Sequence, residues 1–456
     1  MKQQAVTPLS LGTDRLSSLL MRYAIPSIIA MTSSSLYNII DSIFIGHGVG
    51  ALAISGLALT MPLMNLSSAF GAMVGVGAAA IISIRLGEGN KAAAEKTLGN
   101  VVLLNSIIGV VMMLVSILFL DPILYFFGAS SQTIGYARDF MQIILAGSVI
   151  THTFLGLNEV LRASGYPKKA MLIMLTSVAC NCIFNPLFIF VFEWGIRGSA
   201  IATVISQSIA LSISLSHFSS KDSFLHFKRG IFRLRKKIVT GILSIGAAPF
   251  LLHLCASIVV VFVNKALQNC GGDLYIGAYG VVNRVVLLFI MIVSGLNQGM
   301  QPIVGYNYGA KQYGRVIKTL YITIFCAVCV TTTAFAIGQL FPRQVAMLFV
   351  GDGDSNATEL IEAACRGLRI ILSIFPIVGF QIVTSNFFQY IGKPKRAILL
   401  SMTRQMLFLV PLLIILPQHF GTDGVWYSMP IADSLASILA LILIIPQLRR
   451  LRQNRG

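Results

Sequence analysis

Polar side chains are rare inside the long apolar segments of this chain, so the few present are the first candidates for chemistry. Asp41 lies in the first apolar segment, Asn181 and Asn185 lie one helical turn apart in the fifth, and Thr203 lies in the sixth. An ionisable group at the centre of a membrane helix costs about 2.5–3.5 kcal/mol on insertion scales, which is why such groups usually mark functional sites. A carboxylate with amide and hydroxyl oxygens suits a proton or a hard cation such as Na⁺.

Helical geometry predicts that these four side chains form one cation-coupling site. With a rise of ~1.5 Å per residue, Asp41, Asn185 and Thr203 fall at similar depth in the outer half of the membrane, and Asn181 falls slightly deeper. The alternative is a structural role, in which the amides and the hydroxyl join neighbouring helices by hydrogen bonds.

The second half of the chain carries a different polar set. Counting residues along the predicted spans places this set, Arg284, Arg404 and Asp433, in the middle of the bilayer. At that depth their opposite charges would compensate one another. A structural cluster and a gate are both open interpretations of this set. The residue that matches Asp41 in the second half is Asn264, so we expect ion coupling in one half only.

The elements that position these residues follow from the composition. The chain has 456 residues, of which 56% are hydrophobic and 11% charged, and its mean hydropathy is +0.82. Soluble domains carry about 45–50% apolar and about 25% charged residues, so a soluble globular protein is excluded. Apolar runs such as 101–120 are too long for the strands of an outer-membrane barrel, which span about 10 residues. The sequence therefore predicts an all-α polytopic membrane protein with twelve transmembrane helices.

The basic residues predict the orientation of these helices. The net charge is +18, and 26 of the 34 Lys and Arg fall on one side when the spans are numbered from the N-terminus. The positive-inside rule then places both termini in the cytoplasm. The basic segment 218–238 is the longest loop on that side, and we expect it to touch anionic lipid headgroups rather than nucleic acid.

Landmarks repeat between the two halves of the chain. Pro26 aligns with Pro249, and Gly165–Ala170 aligns with Gly392–Ala397, at offsets of 223 and 227. Each half has six spans, so the repeats are parallel, an arrangement typical of transporters with a site between the halves. We predict an N-terminal six-helix lobe at 1–217, a basic cytoplasmic linker at 218–238 and a C-terminal six-helix lobe at 239–456. Pro26 is the predicted hinge of the first span.

Over its whole length the chain resembles the multidrug and toxic compound extrusion (MATE) transporters, in their bacterial drug-extruding and DNA-damage-inducible branch. The motifs that carry the resemblance are 299–311, 41–46, 162–167 and 195–203. The resemblance implies two six-helix bundles, alternating access, and export of cationic or amphiphilic small molecules against H⁺ or Na⁺. It maps the family's coupling set onto Asp41, Asn181, Asn185 and Thr203. Asn185 stands where the family commonly has Asp, which leaves Asp41 as the titrating group.

Other function classes are weaker readings of the sequence. A flippase for lipids or lipid-linked sugars shares the doubled architecture, but it would need more cationic charge than Arg284 and Arg404 supply. No nucleophile–base or metal constellation is visible, so we expect neither an enzyme nor a cofactor beyond the coupling ion. The expected protein is a monomer in the bacterial cytoplasmic (inner) membrane, in contact with membrane lipids and without a nucleic-acid partner.

Overall fold

The computed structural model describes residues 10–349 and 357–454, and every regular element in those two ranges is a helix. The predicted all-α fold is confirmed. Lys2 and Arg455, which belong to the basic residues counted above, lie outside the described residues. The orientation of the helices in the membrane stays a prediction.

The helices of the first half follow one another with short connections. They are α1 (Ser10–Thr13), α2 (Leu16–Gly48), α3 (Ala51–Gly87), α4 (Lys91–Leu118), α5 (Leu120–Phe126), α6 (Ile134–Ala146), α7 (Ser148–Ala163), α8 (Pro167–Pro186) and α9 (Gly195–Ser219). A π-helical segment, Leu187–Val191, continues α8.

The helices of the second half repeat this order. They are α10 (Lys236–Gly309), α11 (Tyr313–Leu340), α12 (Pro342–Met347), α13 (Ala357–Leu372), α14 (Phe375–Tyr390), α15 (Pro394–Met402), α16 (Val410–Phe420) and α17 (Thr422–Gln453). A second π-helical segment, Thr403–Leu409, joins α15 to α16.

The long element α10 contains two membrane-length helices rather than one. Its backbone breaks at Gly272, where φ is 72° and ψ is −165°. A residue with a Cβ atom rarely adopts a positive φ, so glycine permits the turn here. The break separates α10a (Lys236–Gly272) from α10b (Leu274–Gly309).

The number of apolar helices matches the predicted number of spans. In the described residues, ten helices are long and apolar enough to cross a membrane. Two bent pairs raise the number to twelve if each pair is one span: α6 with α7, bent by 55°, and α13 with α14, bent by 54°. Pro376 lies in the first turn of α14, where a backbone N–H has no partner within the helix, so proline fits there. Proline cannot continue a regular helix from α13, which is consistent with the bend between the two helices.

Contacts between residues divide the described chain into two compact units. Unit 1 contains Ile25–Phe250, Gln301–Lys311 and the described residues up to Asp14. Unit 2 contains Arg15–Ala24, Leu251–Met300 and the described part of Gln312–Gly456. These units are defined by contacts, so the division of the sequence at 217 and 239 stays a prediction.

Glycines explain why the first part of α10a and the last part of α10b belong to unit 1. A Cβ atom at Gly246 would overlap the backbone carbonyl of Met73, and one at Gly309 would overlap the carbonyl of Ile84. Both partners lie on α3. The missing side chains let these helix ends approach the backbone of α3 closely.

Three helices change unit in mid-course, and each carries a proline at that point. The changes fall between Ala24 and Ile25, between Phe250 and Leu251, and between Met300 and Gln301. The adjoining prolines are Pro26, Pro249 and Pro302. A proline inside a helix removes a backbone hydrogen bond and permits bending.

The basic linker is part of unit 1, where it packs against α4. Lys228 Nζ donates to Glu95 Oε2 over 2.7 Å, and the backbone N–H of Arg235 donates to Asn100 Oδ1 over 3.0 Å. Ile231 is buried, whereas most of its basic neighbours remain exposed. The linker therefore has a fixed attachment to α4 and still presents its positive charge.

Candidate functional site

Asp41 lies on α2 and is buried, with 7% of its surface exposed. Its Oδ1 atom accepts a hydrogen bond from Ser199 Oγ over 2.6 Å and another from Asn185 Nδ2. Within the described residues its hydrogen-bond partners are therefore neutral. A buried carboxylate without a fixed cation beside it is costly in its ionised form, so it has a strong tendency to bind a mobile cation.

The other predicted residues join Asp41 in one hydrogen-bond network. Asn185 Nδ2 lies 3.4 Å from Asn181 Oδ1, and Asn181 Nδ2 donates to Thr203 Oγ1 over 3.1 Å. The spacing of Asn181 and Asn185 on α8 puts both amides on one face of the helix. The structure thus brings together all four residues that the sequence assigned to the cation-coupling site.

Ser199 is a member of this network that the sequence analysis missed. It lies four residues before Thr203 on α9, and the Thr203 hydroxyl donates to the Ser199 carbonyl over 3.1 Å. The i, i+4 spacing was the available signal, because it puts both side chains on the same helix face.

The local backbone helps to place Asn185. The regular helix α8 ends at Pro186, and the π-helical segment Leu187–Val191 follows. Proline removes the hydrogen bond that would continue the α-helix, and π-helical turns are frequent at functional sites. The Asn185 Oδ1 atom is buried and has no hydrogen-bond partner among the described residues. It is an oxygen available to a cation at this site.

A cavity of about 260 Å³ in unit 1 reaches the network. Its wall contains the carboxylate of Asp41 and two further members of the network, Asn181 and Thr203. The remaining wall combines hydroxyl and amide groups with methionine and aromatic side chains, among them Ser67, Ser177, Gln207, Met61, Met64, Phe140 and Phe154. A wall of this kind offers both apolar contact and hydrogen bonds to a small molecule.

The second polar set is only partly assembled. Arg404 Nε donates to Asp433 Oδ1 over 2.6 Å, with 22% and 11% of the two side chains exposed. Arg284 is exposed on α10b and forms no ion pair with either residue in the described part of the chain. The expected cluster of three is therefore a pair. Counting residues gives the depth of a side chain in the membrane, but not its direction around the helix.

Metal and disulfide chemistry receive no support from the described residues. They contain no group of three His, Cys, Asp or Glu side chains that could hold a metal ion. The seven cysteines, including Cys326 and Cys329, are all unpaired thiols.

The MatE family model matches the chain twice, over residues 26–187 and 246–415. The chain belongs to the MatE family. The two matches begin in α2 and in α10a, so the same model recognises each half of this MATE protein. Members of the family are membrane transporters, which confirms the expectation of a transporter rather than an enzyme.

Individual relatives cover nearly the full length of this MATE protein. Multidrug export protein MepA of Staphylococcus haemolyticus (strain JCSC1435) is 26% identical over 437 residues, which are 96% of this chain and 95% of that protein. A solved MOP superfamily transporter from Pyrococcus furiosus is 25% identical, covers 99% of each chain and superposes with a TM-score of 0.91. An outward-facing multidrug resistance MATE transporter gives the same identity, coverage and TM-score.

Proposed function

We propose that this chain is a multidrug exporter that moves cationic or amphiphilic compounds out of the cell in exchange for H⁺ or Na⁺. Family membership supports transport, and the similarity to multidrug export protein MepA and to a multidrug resistance MATE transporter supports a multidrug substrate range. The observation that carries the proposal is the buried carboxylate of Asp41, held by neutral donors at the wall of a cavity. The membrane that fits a bacterial exporter of this family is the cytoplasmic membrane.

The site suits a cation that can leave again. Ionised Asp41 supplies one negative charge, while Asn181, Asn185 and Thr203 add neutral oxygens. A proton needs only the carboxylate, whereas Na⁺ needs several oxygens around it. The Oδ1 atom of Asn185, which has no hydrogen-bond partner among the described residues, is the group through which Na⁺ binding would differ from proton binding.

Exchange requires that the coupling cation and the substrate oppose each other's binding. A cationic substrate in the cavity and a cation on Asp41 both use the same negative charge. Binding of one therefore weakens binding of the other. Binding of H⁺ or Na⁺ from outside releases the compound, and the empty, cation-loaded protein then turns its cavity to the cytoplasm.

Pro26 is the proposed hinge of this cycle. It lies on the same helix as Asp41 and next to the point where α2 passes from unit 2 to unit 1. A bend at Pro26 would move Asp41 relative to Asn185 and Ser199, because those residues lie on other helices. When Asp41 loses its negative charge, the hydrogen bonds that it accepts from Asn185 and Ser199 become weaker. The weaker bonds favour such a bend.

The alternative of a lipid-type flippase gains no support from the geometry. Its cationic candidates were Arg284 and Arg404. The first is exposed, and the charge of the second is offset by Asp433. A pyrophosphate group would find no unpaired arginine at that pair.

Dye efflux under imposed gradients tests the proposal. Cells or inverted vesicles that contain the wild type or Asp41→Asn are loaded with ethidium, and proton and Na⁺ gradients are applied separately. We expect at least one of the two gradients, applied alone, to drive efflux by the wild type, and neither to drive efflux by Asp41→Asn, which should remain folded. Full efflux by the variant would refute the role of Asp41. A strict Na⁺ requirement would select the ion, and no movement under any gradient would refute multidrug export.

A further inference from the structure

His152 on α7 is a fully buried histidine that the proposed coupling site does not use. Its Nε2 atom lies 2.9 Å from the Ser67 hydroxyl. Its Nδ1 atom has no hydrogen-bond partner among the described residues. Buried polar atoms are nearly always paired, so an imidazole with one open nitrogen calls for an explanation.

The partner of His152 opens onto the same cavity as Asp41. Ser67 lies on α3 and forms part of the wall of the 260 Å³ cavity. A serine hydroxyl donates one hydrogen bond and accepts others, so it can pass a proton on. One hydroxyl group therefore connects a buried imidazole with the space in which the coupling carboxylate lies.

The packing of α3 against α7 holds the imidazole in this position. A Cβ atom at Gly71 would lie 3.5 Å from the His152 ring, and one at Gly75 would lie 3.1 Å from Glu159 Cγ. Ser67, Gly71 and Gly75 are spaced by four residues, so one face of α3 is small where α7 packs on it. The ring occupies the room that these small residues leave, with its Nε2 directed at Ser67.

Other titratable side chains lie on α7 itself and on the helices packed against it. Glu159 and Arg162 form an ion pair toward the end of α7, and Glu159 is about 10 Å from His152 at ~1.5 Å per residue. The other titratable or charged side chains of the helices packed on α7 are Arg85 on α3, Lys91, Glu95 and Lys96 on α4, Tyr136, Arg138 and Asp139 on α6, Lys168, Lys169, Cys180 and Cys182 on α8, and Arg197 and His217 on α9. The charged ones lie toward the ends of their helices, and Asp41 is the ionisable residue among the described residues that line the cavity.

We propose that His152 is a second proton-binding residue of unit 1, which exchanges protons with the Asp41 cavity through Ser67 and opposes a cationic substrate when protonated. This inference rests on the proposed function in its proton-coupled form. It adds a binding group and a reason for substrate release to the site built around Asp41.

The proton transfer needs no partner beyond these groups. In the tautomer that carries its hydrogen on Nδ1, the lone pair of Nε2 faces Ser67. A proton that reaches the Ser67 oxygen from the cavity binds there while the original hydroxyl proton passes to Nε2. The serine is unchanged, and the imidazole becomes an imidazolium with one added positive charge.

The added charge explains how His152 would serve antiport. An imidazolium beside the cavity repels a cationic compound inside it, because the low dielectric of the site strengthens the interaction between like charges. Protonation of His152 therefore disfavours the loaded state, and a bound cation disfavours protonation. This opposition is the thermodynamic requirement for exchange of the two.

Proton release on substrate binding tests the proposal directly. Purified protein is placed in weakly buffered, Na⁺-free detergent solution with a pH-indicator dye, and ethidium is added over a series of starting pH values. We expect the wild type to release protons, Asp41→Asn and His152→Gln each to release fewer, and the double variant to release none. His253→Gln is the matched control, since His253 is an intramembrane histidine of unit 2 with an exposed side chain.

The outcomes separate this proposal from the proposed function. If His152→Gln releases as many protons as the wild type with the same pH profile, His152 is not a proton site, although coupling through Asp41 stands. If the wild type binds ethidium and releases no protons, both proton coupling and the role of His152 are refuted.

A second pair of variants keeps the test decisive if His152→Gln does not fold. Ser67→Ala retains the imidazole but removes its connection to the cavity, whereas Ser67→Thr retains the hydroxyl. We expect the loss of proton release in Ser67→Ala to match that of the histidine variant, with Ser67→Thr close to the wild type. Equal release by Ser67→Ala and Ser67→Thr would overturn the proposal.

Discussion

Asp41 in the first half of the chain and Asp433 in the second are both buried carboxylates on long apolar helices, yet their neighbours differ. Asp41 accepts hydrogen bonds from the neutral side chains of Ser199 and Asn185. Asp433 accepts a hydrogen bond from the guanidinium of Arg404. Among the described residues, the first carboxylate has no fixed counter-charge, whereas the second has one supplied by Arg404.

In the proposed function, this difference separates a site for cation exchange at Asp41 from a structural ion pair at Asp433. A guanidinium stays charged at all relevant pH values and is covalently fixed in the protein. The charge of Asp433 is therefore balanced by Arg404 without a mobile cation. No cation of the described residues pairs with Asp41, so an ion from solution would have to neutralise it. The halves share an order of helices, and we propose that ion coupling is confined to the first of them.

The sequence repeat shows how the two halves diverged. With the offsets that align Gly165 with Gly392 and Gly198 with Gly424, Arg404 matches Ser177 and Asp433 matches Gln207. Both Ser177 and Gln207 line the cavity of unit 1. The same positions thus hold an ion pair in one half and the wall of a cavity in the other.

Conversely, the second half lacks the polar residues of the proposed coupling site. The positions that match Asp41, Asn185 and Thr203 hold Asn264, Leu412 and Met429 in the second half. An amide and two apolar side chains cannot supply a negative charge. Neither half therefore contains both arrangements.

Removal of the counter-charge in the second half should have the largest effect on stability. Arg404→Ala leaves Asp433 buried and unpaired, and we expect it to lower the free energy of unfolding by about 3–5 kcal/mol. Thermal and denaturant unfolding of the purified protein in detergent measure this loss. Arg404→Met combined with Asp433→Leu removes both charges and should be near the wild type. If the single variant costs no more than the double variant, the pair has no such structural role.

Removal of one donor in the first half should mainly affect transport. Ser199→Ala deletes a hydrogen bond to the carboxylate of Asp41, and bonds to charged groups are worth about 1.5–3 kcal/mol. We expect coupled efflux to fall by about tenfold or more, since 1.4 kcal/mol corresponds to a factor of ten. Ser208→Ala is the control, because the Ser208 hydroxyl bonds to the carbonyl of Val204 on its own helix. Equal efflux by the two variants would contradict a role for Ser199.

Replacement of the hinge proline should have a smaller effect. Pro26→Ala restores a backbone hydrogen bond beside the point where α2 changes unit, so bending becomes less favourable. We expect a few-fold slower efflux with unchanged ethidium affinity, measured by efflux rates and by fluorescence binding. Pro446→Ala serves as the control, since α17 lies within unit 2 throughout. A similar rate change in both variants would show that the location of Pro26 is unimportant.

The polar network around Asp41 was predictable from the sequence because its members differ in type from their surroundings. Asp41, Asn181 and Asn185 interrupt apolar segments, and depth along a helix follows directly from residue number. Ser199 was missed because serine is common in these helices. Ser206 and Ser214, for example, bond only to their own backbone within the contacts described.

Direction around the helix axis accounts for the failures of the sequence analysis. Arg284 was assigned to the polar set by its depth alone, and it is exposed because the direction of its side chain depends on how α10b packs. The π-helical segments at Leu187–Val191 and Thr403–Leu409 add a further change of direction. A proline such as Pro186 marks an interruption of the α-helix, but it does not predict that a π-helical turn follows.

The two halves also differ in the loops that precede α8 and α15, which lie outside the membrane-spanning segments. We expect this difference to have a smaller effect. Lys393 occupies the position that Tyr166 has in the first half. Its Nζ donates to Gln447 Oε1 over 2.6 Å. Burial lowers the pKa of Lys393 below its usual value of 10.5, and the nearby charges of Arg396 and Arg450 lower the pKa further.

A lowered pKa in the folded state gives the sign of a pH effect on stability. Below the folded pKa, Lys393 is charged in both states, and its charge disfavours the folded one. Between the folded pKa and 10.5 the unfolded state binds more protons, so the stability of the folded protein rises with pH. We expect wild type to gain stability relative to Lys393→Gln as pH rises from neutral toward 10.5, by denaturant unfolding at each pH. Lys395→Gln, at an exposed neighbouring position, should follow the wild type. Parallel pH profiles for wild type and Lys393→Gln would mean that the crowded charges at this loop leave the proton affinity of Lys393 unchanged. This second contrast between the halves would then be one of residue type alone.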